Sequence, residues 1–232
     1  MAKKIVGIIG GMGPEATVDL MHRVVAATPA DDDADHFRML VDNNPGVPSR
    51  IKALIEGGGE SPVACLVGMA QGLEHQGADF LTIPCNTAHH YYQEIAAAVK
   101  IPVINLIELT AGHIRQQQPE LRKVGLLASD AVQRISLYEP SFAKYDIDVL
   151  YPKDENQKSV MAVIRAIKAK KQTQAQLEAY RQAARGLVEQ GAECLIVACT
   201  ELSLIDDLSF SGVPAYDAMD LLAQQIIHSA LH

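Results

Sequence analysis

The chain has 232 residues, 48% hydrophobic and 21% charged, a composition that excludes a disordered chain and allows one large domain or two small ones. Twenty Lys and Arg against 28 Asp and Glu leave a net charge of −8. That balance argues against a nucleic-acid partner, which needs clustered cations to displace counterions, and the only dense basic stretch is Lys168 to Lys171. No apolar run approaches the ~20 residues of a bilayer-spanning helix, so no membrane partner is expected. Lys3-Lys4 before the short run Ile5–Ile9 reads as the lead-in to a buried strand, because the apolar stretch is too short for a signal peptide and a Gly-rich turn follows it. A cytoplasmic, reducing compartment is therefore expected, with no disulfides among Cys65, Cys85, Cys194 and Cys199.

Strand-like and helix-like segments alternate along the chain. Lys4–Ile9 is a β-branched run that ends in Gly10-Gly11-Met12-Gly13. Pro14 suits a first helical position, and Val18, Met21 and Val25 then share one helical face. Phe37–Val41 reads as a strand, Asp42–Ser49 as turn-rich chain, Gly57–Gly59 as a loop and Pro62–Gln76 as a helix. Asp79–Pro84 is a buried strand, Asn86–Val99 a helix and Pro102–Leu106 another strand. The second half brings the strand Val124–Ala128, a helix capped by Ser129 and running to about Lys144, and the strand Ile147–Tyr151. Helices over Lys158–Ala169 and Gln174–Gln190 follow, then the strand Glu193–Ala198, a turn and short helix from Thr200, the strand Val213–Tyr216 and a closing helix Asp217–Leu231. Such alternation predicts βαβ units and parallel sheets.

The two halves repeat each other. Val6-Gly7-Ile8-Ile9-Gly10 resembles Val124-Gly125-Leu126-Leu127-Ala128, and Gly77-Ala78-Asp79-Phe80-Leu81 through Cys85-Asn86-Thr87 resembles Gly191-Ala192-Glu193-Cys194-Leu195 through Cys199-Thr200-Glu201. Ile101-Pro102-Val103-Ile104 matches Gly212-Val213-Pro214-Ala215-Tyr216. The fold expected is two similar parallel-sheet α/β lobes related by a pseudo-two-fold axis, with an active site in the cleft between them. Residues 1–107 with 217–232 form the first lobe, carrying Cys85; residues 108–216 form the second, carrying Cys199.

Each of these cysteines lies just past the C-terminal end of a predicted strand and before a helix, the edge at which open α/β sheets bind ligands. A helix N-terminus stabilises a thiolate, so both are candidates for lowered thiol pKa values. Two opposed thiols suit a reaction that needs a base on one side of a carbon and an acid on the other. The bland alternative is that both are small buried hydrophobes, as Cys194 and Cys65 are expected to be. There is no CxxC or HExxH spacing, so no metal is expected. Gly11-x-Gly13-x-x-Ala16 matches a dinucleotide fingerprint weakly, because the acids at Asp31 to Asp35 fall in a loop, and a small anion suits this turn better than a nucleotide.

The blocks Gly10-Gly11-Met12-Gly13-Pro14-Glu15-Ala16-Thr17, Pro84-Cys85-Asn86-Thr87-Ala88-His89 and Ala198-Cys199-Thr200-Glu201-Leu202 together resemble the aspartate/glutamate racemase superfamily. Gly10-Gly11 stands where glutamate racemases carry an Asp-Ser pair, which favours the aspartate type. The resemblance implies racemisation of an acidic amino acid by Cys85 and Cys199, with no cofactor. It also implies substrate contacts from Met12, Thr17, Asn86 and Thr87, and grips on carboxylate from Arg50 and Lys168; Thr200 and Glu201, after the second cysteine, are further candidate substrate-binding residues. Backbone N–H groups after each cysteine are candidate donors to charge developing on the α-carboxylate. Ser49 departs from the Asp of many relatives. Relatives are often dimers, which allows a homodimer here, although no interface is legible in the sequence.

Several of these residues have second readings. Arg50 also fits a loop cap, Lys168 a solvated helix face, Glu201 an ammonium acceptor or a cap, and His89 either a carboxylate contact or the closing of a helix start. Thr87 and Thr200 also fit local hydrogen-bond partners of the cysteines. The competing functions are a maleate-isomerase-like cis–trans isomerase, a non-catalytic amino-acid-binding protein and, less well supported, a nucleotide-binding oxidoreductase.

Overall fold

A computed structural model describes residues 3–205 and 212–232. Met1, Ala2 and the continuation of the Thr200 turn past Ile205 lie outside the described residues. The chain divides into two compact units, Met1–Leu109 with Met219–His232, and Thr110–Ala218. Among the described residues no helix is long and apolar enough to cross a membrane.

The first unit contains β1 (Val6–Gly10), α1 (Pro14–Ala27), β2 (Met39–Asn43), α2 (Val63–His75), β3 (Phe80–Thr82) and α3 (Tyr92–Ala97), and α4 (Leu106–Gln117) leads out of it. Its sheet is parallel, in the order β2-β1-β3. Every residue of β1 is buried, as a central strand covered on both faces requires. Helix α1 starts at Pro14, but it buries Ala16, Thr17, Leu20 and Val24. The face expected from the sequence is the wrong one: Val18 is 59% exposed and Val25 46%. The reason is close approach at the start of the helix, where a Cβ on Gly10 would lie 2.5 Å from the Thr17 side chain.

Two further expectations need correction here. The helix expected over Asn86–Val99 begins as a 3-10 turn, Thr87–Tyr91, and becomes α-helical only over Tyr92–Ala97. Of the strand expected at Pro102–Leu106, only Val103 bridges, to Leu81. Asn105 ends it, because its Oδ1 accepts the Ile107 and Glu108 N–H groups at 3.0 and 3.2 Å and so opens α4.

The second unit contains β4 (Lys123–Ala128), α5 (Asp130–Arg134), α6 (Glu139–Ala143), β5 (Asp148–Leu150), α7 (Asp154–Lys168), α8 (Gln174–Glu189), β6 (Cys194–Ala198) and β7 (Ala215–Asp217). Helix α9 (Ala218–Leu231) then returns to the first unit. The sheet is parallel, in the order β5-β4-β6-β7. The single helix expected after Ser129 is split into α5 and α6. Ser129 makes no side-chain cap bond, and Ser136 adopts a left-handed φ of 48° between the two pieces.

The repeat seen in the sequence is a repeat of geometry. Gly7 pairs with Leu81 and Gly125 with Leu195. A Cβ on Gly7 would meet Leu81 at 2.5 Å, Ala78 at 3.0 Å and Leu73 at 3.2 Å; one on Gly125 would meet Leu195 at 2.8 Å, Ala192 at 3.0 Å and Leu187 at 3.0 Å. Helices α2 and α8 end alike. Gly77 and Gly191 take φ values of 95° and 97°, and the Ala78 and Ala192 N–H groups donate back to Leu73 and Leu187 at 3.1 and 3.0 Å. The two cysteines therefore leave equivalent strands of equivalent sheets.

Candidate active site

In the first unit, β1 ends in a turn that only glycine can make. Gly11 has a φ of 92°, and a Cβ there would lie 2.2 Å from the Asn44 backbone. The Gly11 N–H donates to Thr17 Oγ1 at 2.9 Å, and that hydroxyl lies 3.4 Å from the Gly13 carbonyl. Thr17, fully buried, is thus committed to the backbone of the turn. Met12 faces inward and shares an apolar cluster with Ile9, Val47, Met69 and Cys85. Asn44 completes the loop opposite: its Oδ1 accepts the Gly46 N–H at 2.9 Å, and its Nδ2 lies 3.5 Å from Cys65 Sγ.

Cys85 is buried beyond β3, and its N–H donates to the Ile83 carbonyl at 2.8 Å. Its own carbonyl is 2.9 Å from His89 Nδ1, while His89 Nε2 accepts the Leu106 N–H at 3.1 Å. An accepting Nε2 places the ring proton on Nδ1, so the imidazole is a neutral strut from the cysteine to the first turn of α4. Burial holds the His89 pKa below its ordinary 6.5. His89 thereby closes local structure instead of facing a ligand. Arg50 donates to the Val47 and Pro48 carbonyls at 3.2 and 3.0 Å, the loop-capping geometry, and lies within electrostatic reach of Tyr91. Asn86 is buried and Thr87 half-buried at the start of the 3-10 turn.

In the second unit, Cys199 follows β6 directly and is buried. Its thiol donates to Glu201 Oε2 at 3.1 Å, and Glu201 Oε1 lies 3.2 Å from Lys168 Nζ at the end of α7. Burial pushes the Cys199 thiol pKa well up, and the neighbouring Glu201 carboxylate adds to that; Lys168 and the Glu201 backbone N–H pull the other way. The lowered pKa expected for a helix-start thiol is thus reversed here. The element after Cys199 is a three-residue 3-10 turn, Leu202–Leu204, too short to supply a macrodipole against that burial. Thr200 is buried beside it. Ser203 occupies the position equivalent to His89, four residues past the cysteine. Its N–H donates to the Cys199 carbonyl at 3.2 Å and its Oγ to Asp217 Oδ1 at 2.7 Å. Tyr138 and Tyr180, both fully buried, lie within electrostatic reach of Cys199 and Asp217, and their phenols are pushed upward mainly by burial.

Cys194 takes no part in these arrangements, and Cys65 enters only as the contact of Asn44 Nδ2. Cys194 is inside β6 with its thiol pushed up to about 12, and Cys65 lies on α2, packed against the first unit's core; all four cysteines are free thiols. Among the described residues no group of three His, Cys, Asp or Glu side chains is arranged to hold a metal ion. A cavity of about 580 Å³ in the second unit is lined by Asp130, Arg134, Tyr151, Gln157 and Lys158, and by none of the residues singled out from the sequence.

Comparison with known proteins decides what this arrangement belongs to. Residues 9–226 match the family model described as Asp/Glu/Hydantoin racemase. The chain belongs to the Asp/Glu/Hydantoin racemase family. Membership makes it an isomerase of the amino-acid racemase type. The Picrophilus torridus aspartate racemase structure is 33% identical, with a TM-score of 0.82 over 98% of this chain and 94% of that one. The broad specificity amino-acid racemase RacX of Bacillus subtilis is 28% identical over 231 residues, 98% of each chain. Glutamate racemase from Francisella tularensis, solved in complex with D-glutamate, shares the fold at 17% identity, with a TM-score of 0.65 over 98% of this chain and 81% of that one.

Within this racemase-family chain, Met12 and Cys85 share a cluster in one unit, and Cys199, Glu201 and Lys168 form a chain of contacts in the other. Sequence reading leaves out Asn44, Ser203 and Asp217. The signal for Ser203 was present: it is the Cys+4 residue of the second repeat, as His89 is of the first.

Proposed function

We propose that this chain racemises a small amino acid with an acidic side chain by cofactor-independent two-base proton transfer between Cys85 and Cys199. The observation that carries the reading is the duplication. Each unit ends an equivalent parallel strand in a buried cysteine, whose carbonyl is met four residues on, by the His89 ring in the first unit and by the Ser203 backbone N–H in the second. The mechanism requires the two sulfurs to address opposite faces of one α-carbon, one as thiolate removing the proton and the other as thiol returning one. Cys199, with its raised pKa and its hydrogen bond to Glu201, rests as the thiol. In this scheme Cys85 takes the α-proton of one enantiomer and Cys199 that of the other.

General-base catalysis supplies only ~10²–10⁴-fold. The α-proton of an amino acid is far less acidic than a thiol, so most of the barrier must fall to stabilisation of charge building on the α-carboxylate. Oxyanion donors contribute ~2.7–4 kcal/mol each. Backbone N–H groups after the two cysteines suit that role, with Arg50 and Lys168 for the distal carboxylate.

The deciding experiment follows loss of optical rotation and of the α-proton signal in deuterium oxide, without added cofactor, for aspartate, glutamate and neutral amino acids. Cys85→Ala and Cys199→Ala should each abolish racemisation, and each single variant should exchange the α-proton of one enantiomer only. Near-normal interconversion by either variant defeats the two-base scheme. A second reading, racemisation not restricted to acidic side chains, is favoured by the breadth in the name of the Bacillus relative and by the prior pairing of Lys168 with Glu201. The same substrate panel separates the two, and activity on maleate alone would replace both with a cis–trans isomerase.

A further inference from the structure

Cys199 is followed by a short 3-10 turn, Leu202–Leu204, and a turn of that length is weakly held by its own hydrogen bonds. The Cys199 carbonyl accepts the Leu202 N–H at 2.9 Å and the Ser203 N–H at 3.2 Å. What fixes Ser203 lies further along the chain: its hydroxyl donates to Asp217 Oδ1 at 2.7 Å. Ser203 is buried, so little water competes for that bond. Asp217 is the last residue of β7 and pairs with Val197 of β6. The chain leaves the second unit just after it, at Ala218. The first unit is built the same way. There His89 ties the Cys85 carbonyl to the Leu106 N–H in the first turn of α4, and the chain leaves that unit at Leu109. The two exits also agree in register. Asp217 comes two residues after Ala215, the partner of Leu195, and Asn105 two residues after Val103, the partner of Leu81. An imidazole spans from cysteine to exit by itself. A serine is shorter, and a carboxylate on the exit side completes the span.

Resting on the two-cysteine reading above, we propose that Asp217 is a positioning residue for Cys199, acting through Ser203. Asp217 fixes the Ser203 hydroxyl, Ser203 fixes the Cys199 carbonyl, and the carbonyl fixes the direction in which Sγ leaves the backbone. Asp217 touches no substrate and takes no proton; its task is geometric. Proton transfer needs the sulfur about 3–3.5 Å from the α-carbon, and a misplacement of about 1 Å costs on the order of 10²-fold. Without Asp217 the Ser203 hydroxyl loses its acceptor, the short turn is left to its own bonds, and Sγ spends time in directions that miss the α-carbon. The loss is one-sided. The Cys85 carbonyl has its own brace, His89, in the other unit, so proton removal by Cys85 is spared.

The test follows α-proton exchange in deuterium oxide with the full-length chain. The probes are L- and D-aspartate, or the best substrate of the panel above if another amino acid turns over faster. In Cys85→Ala only Cys199 is left to exchange one enantiomer; in Cys199→Ala only Cys85 is left to exchange the other. Ser203→Ala or Asp217→Ala should slow exchange by ~10–10²-fold in the Cys85→Ala background and by less than about twofold in the Cys199→Ala background. The contrast controls for folding, because a misfolded chain loses both exchanges. With both cysteines present, kcat should fall while KM changes little. Asp217→Asn keeps an acceptor oxygen and should recover most of the rate. Ser203→Ala and Asp217→Ala combined should lose no more than either alone, since they remove the same contact. Equal slowing in both backgrounds, or additive losses, would make Asp217 a general support of the fold and overturn the proposal. So would Asp217→Asn as slow as Asp217→Ala, which would assign the effect to charge, and so would unchanged exchange in the Cys85→Ala background. In each of those cases the two-cysteine reading stands. If wild type racemises but neither background exchanges, or one background exchanges both enantiomers, that reading falls and the proposal falls with it.

Discussion

The carbonyl of Cys85 and the amide of Leu106 are held together through one imidazole, His89, which donates from Nδ1 at 2.9 Å and accepts at Nε2 at 3.1 Å. The ring is buried, so neither backbone group has water to fall back on. Replacement by phenylalanine keeps the bulk and removes both bonds. Each stranded buried group costs about 1–3 kcal/mol. His89→Phe should therefore lower the urea midpoint of the folded protein and, by releasing the Cys85 backbone, lower kcat more than it changes KM. A variant with wild-type stability would show that the strut carries no energy.

The same histidine sets a pH limb of stability. Its folded pKa is depressed below the ordinary 6.5 by burial, while the unfolded chain titrates near 6.5. The unfolded state then binds more protons below that value, and stability rises with pH there. His89 contributes its full stability above about pH 6.5, and that contribution is lost as pH falls toward the depressed folded value. His113 acts in the same direction, also through burial. Urea midpoints measured from pH 8 to pH 5 should fall below about 6.5 in wild type and fall less in His89→Phe. Parallel curves for the two proteins would assign the limb to other groups.

Both sheets were readable because buried parallel strands are unbroken apolar runs, and because Gly77 and Gly191 mark the two helix ends by their left-handed φ. The buried face of α1 is ambiguous in the sequence because that helix carries two apolar stripes. The one that packs contains Ala16 and Thr17, small residues with little hydrophobic signal. Helix α4 was hidden by an apolar run in which Asn105 looks like an interruption instead of a cap. Glu201 and Lys168 lie 33 positions apart, and their contact depends on where α7 ends relative to the turn after β6. No local pattern encodes that. The direction of the Cys199 pKa is hidden for a related reason: strand-then-helix spacing does not reveal that the element after the cysteine is a 3-10 turn over Leu202–Leu204.

The turn after β1 gives a graded test of preorganisation. Thr17→Val is nearly isosteric but leaves the Gly11 N–H without its acceptor, at a cost of about 1–3 kcal/mol. Thr17→Ser retains the hydroxyl and should lose less. Gly11→Ala should be worse than either, since it combines a φ of 92° with a Cβ 2.2 Å from the Asn44 backbone. Denaturant unfolding of the three variants should follow that order, and equal stability of Thr17→Val and wild type would show that the hydroxyl does not hold the turn.

The duplication itself makes a prediction. Gly7 and Gly125 face leucine, alanine and leucine in nearly the same geometry, with the nearest atoms at 2.5 and 2.8 Å from the added Cβ. In each case the closest atom is a leucine Cδ2, which can rotate, but the alanine Cβ behind it sits on the sheet-to-helix junction and cannot. Overpacking of this kind costs about 1–3 kcal/mol. Gly7→Ala and Gly125→Ala should thus be destabilising by similar amounts, Gly7→Ala slightly more. Because the two glycines lie in different units and share no packing partner, the double variant should lose the sum. Denaturant midpoints of the two single variants and the double variant check this. A large loss at one glycine with none at the other would mean that the two sheets, despite their matched registers, are not equivalently packed.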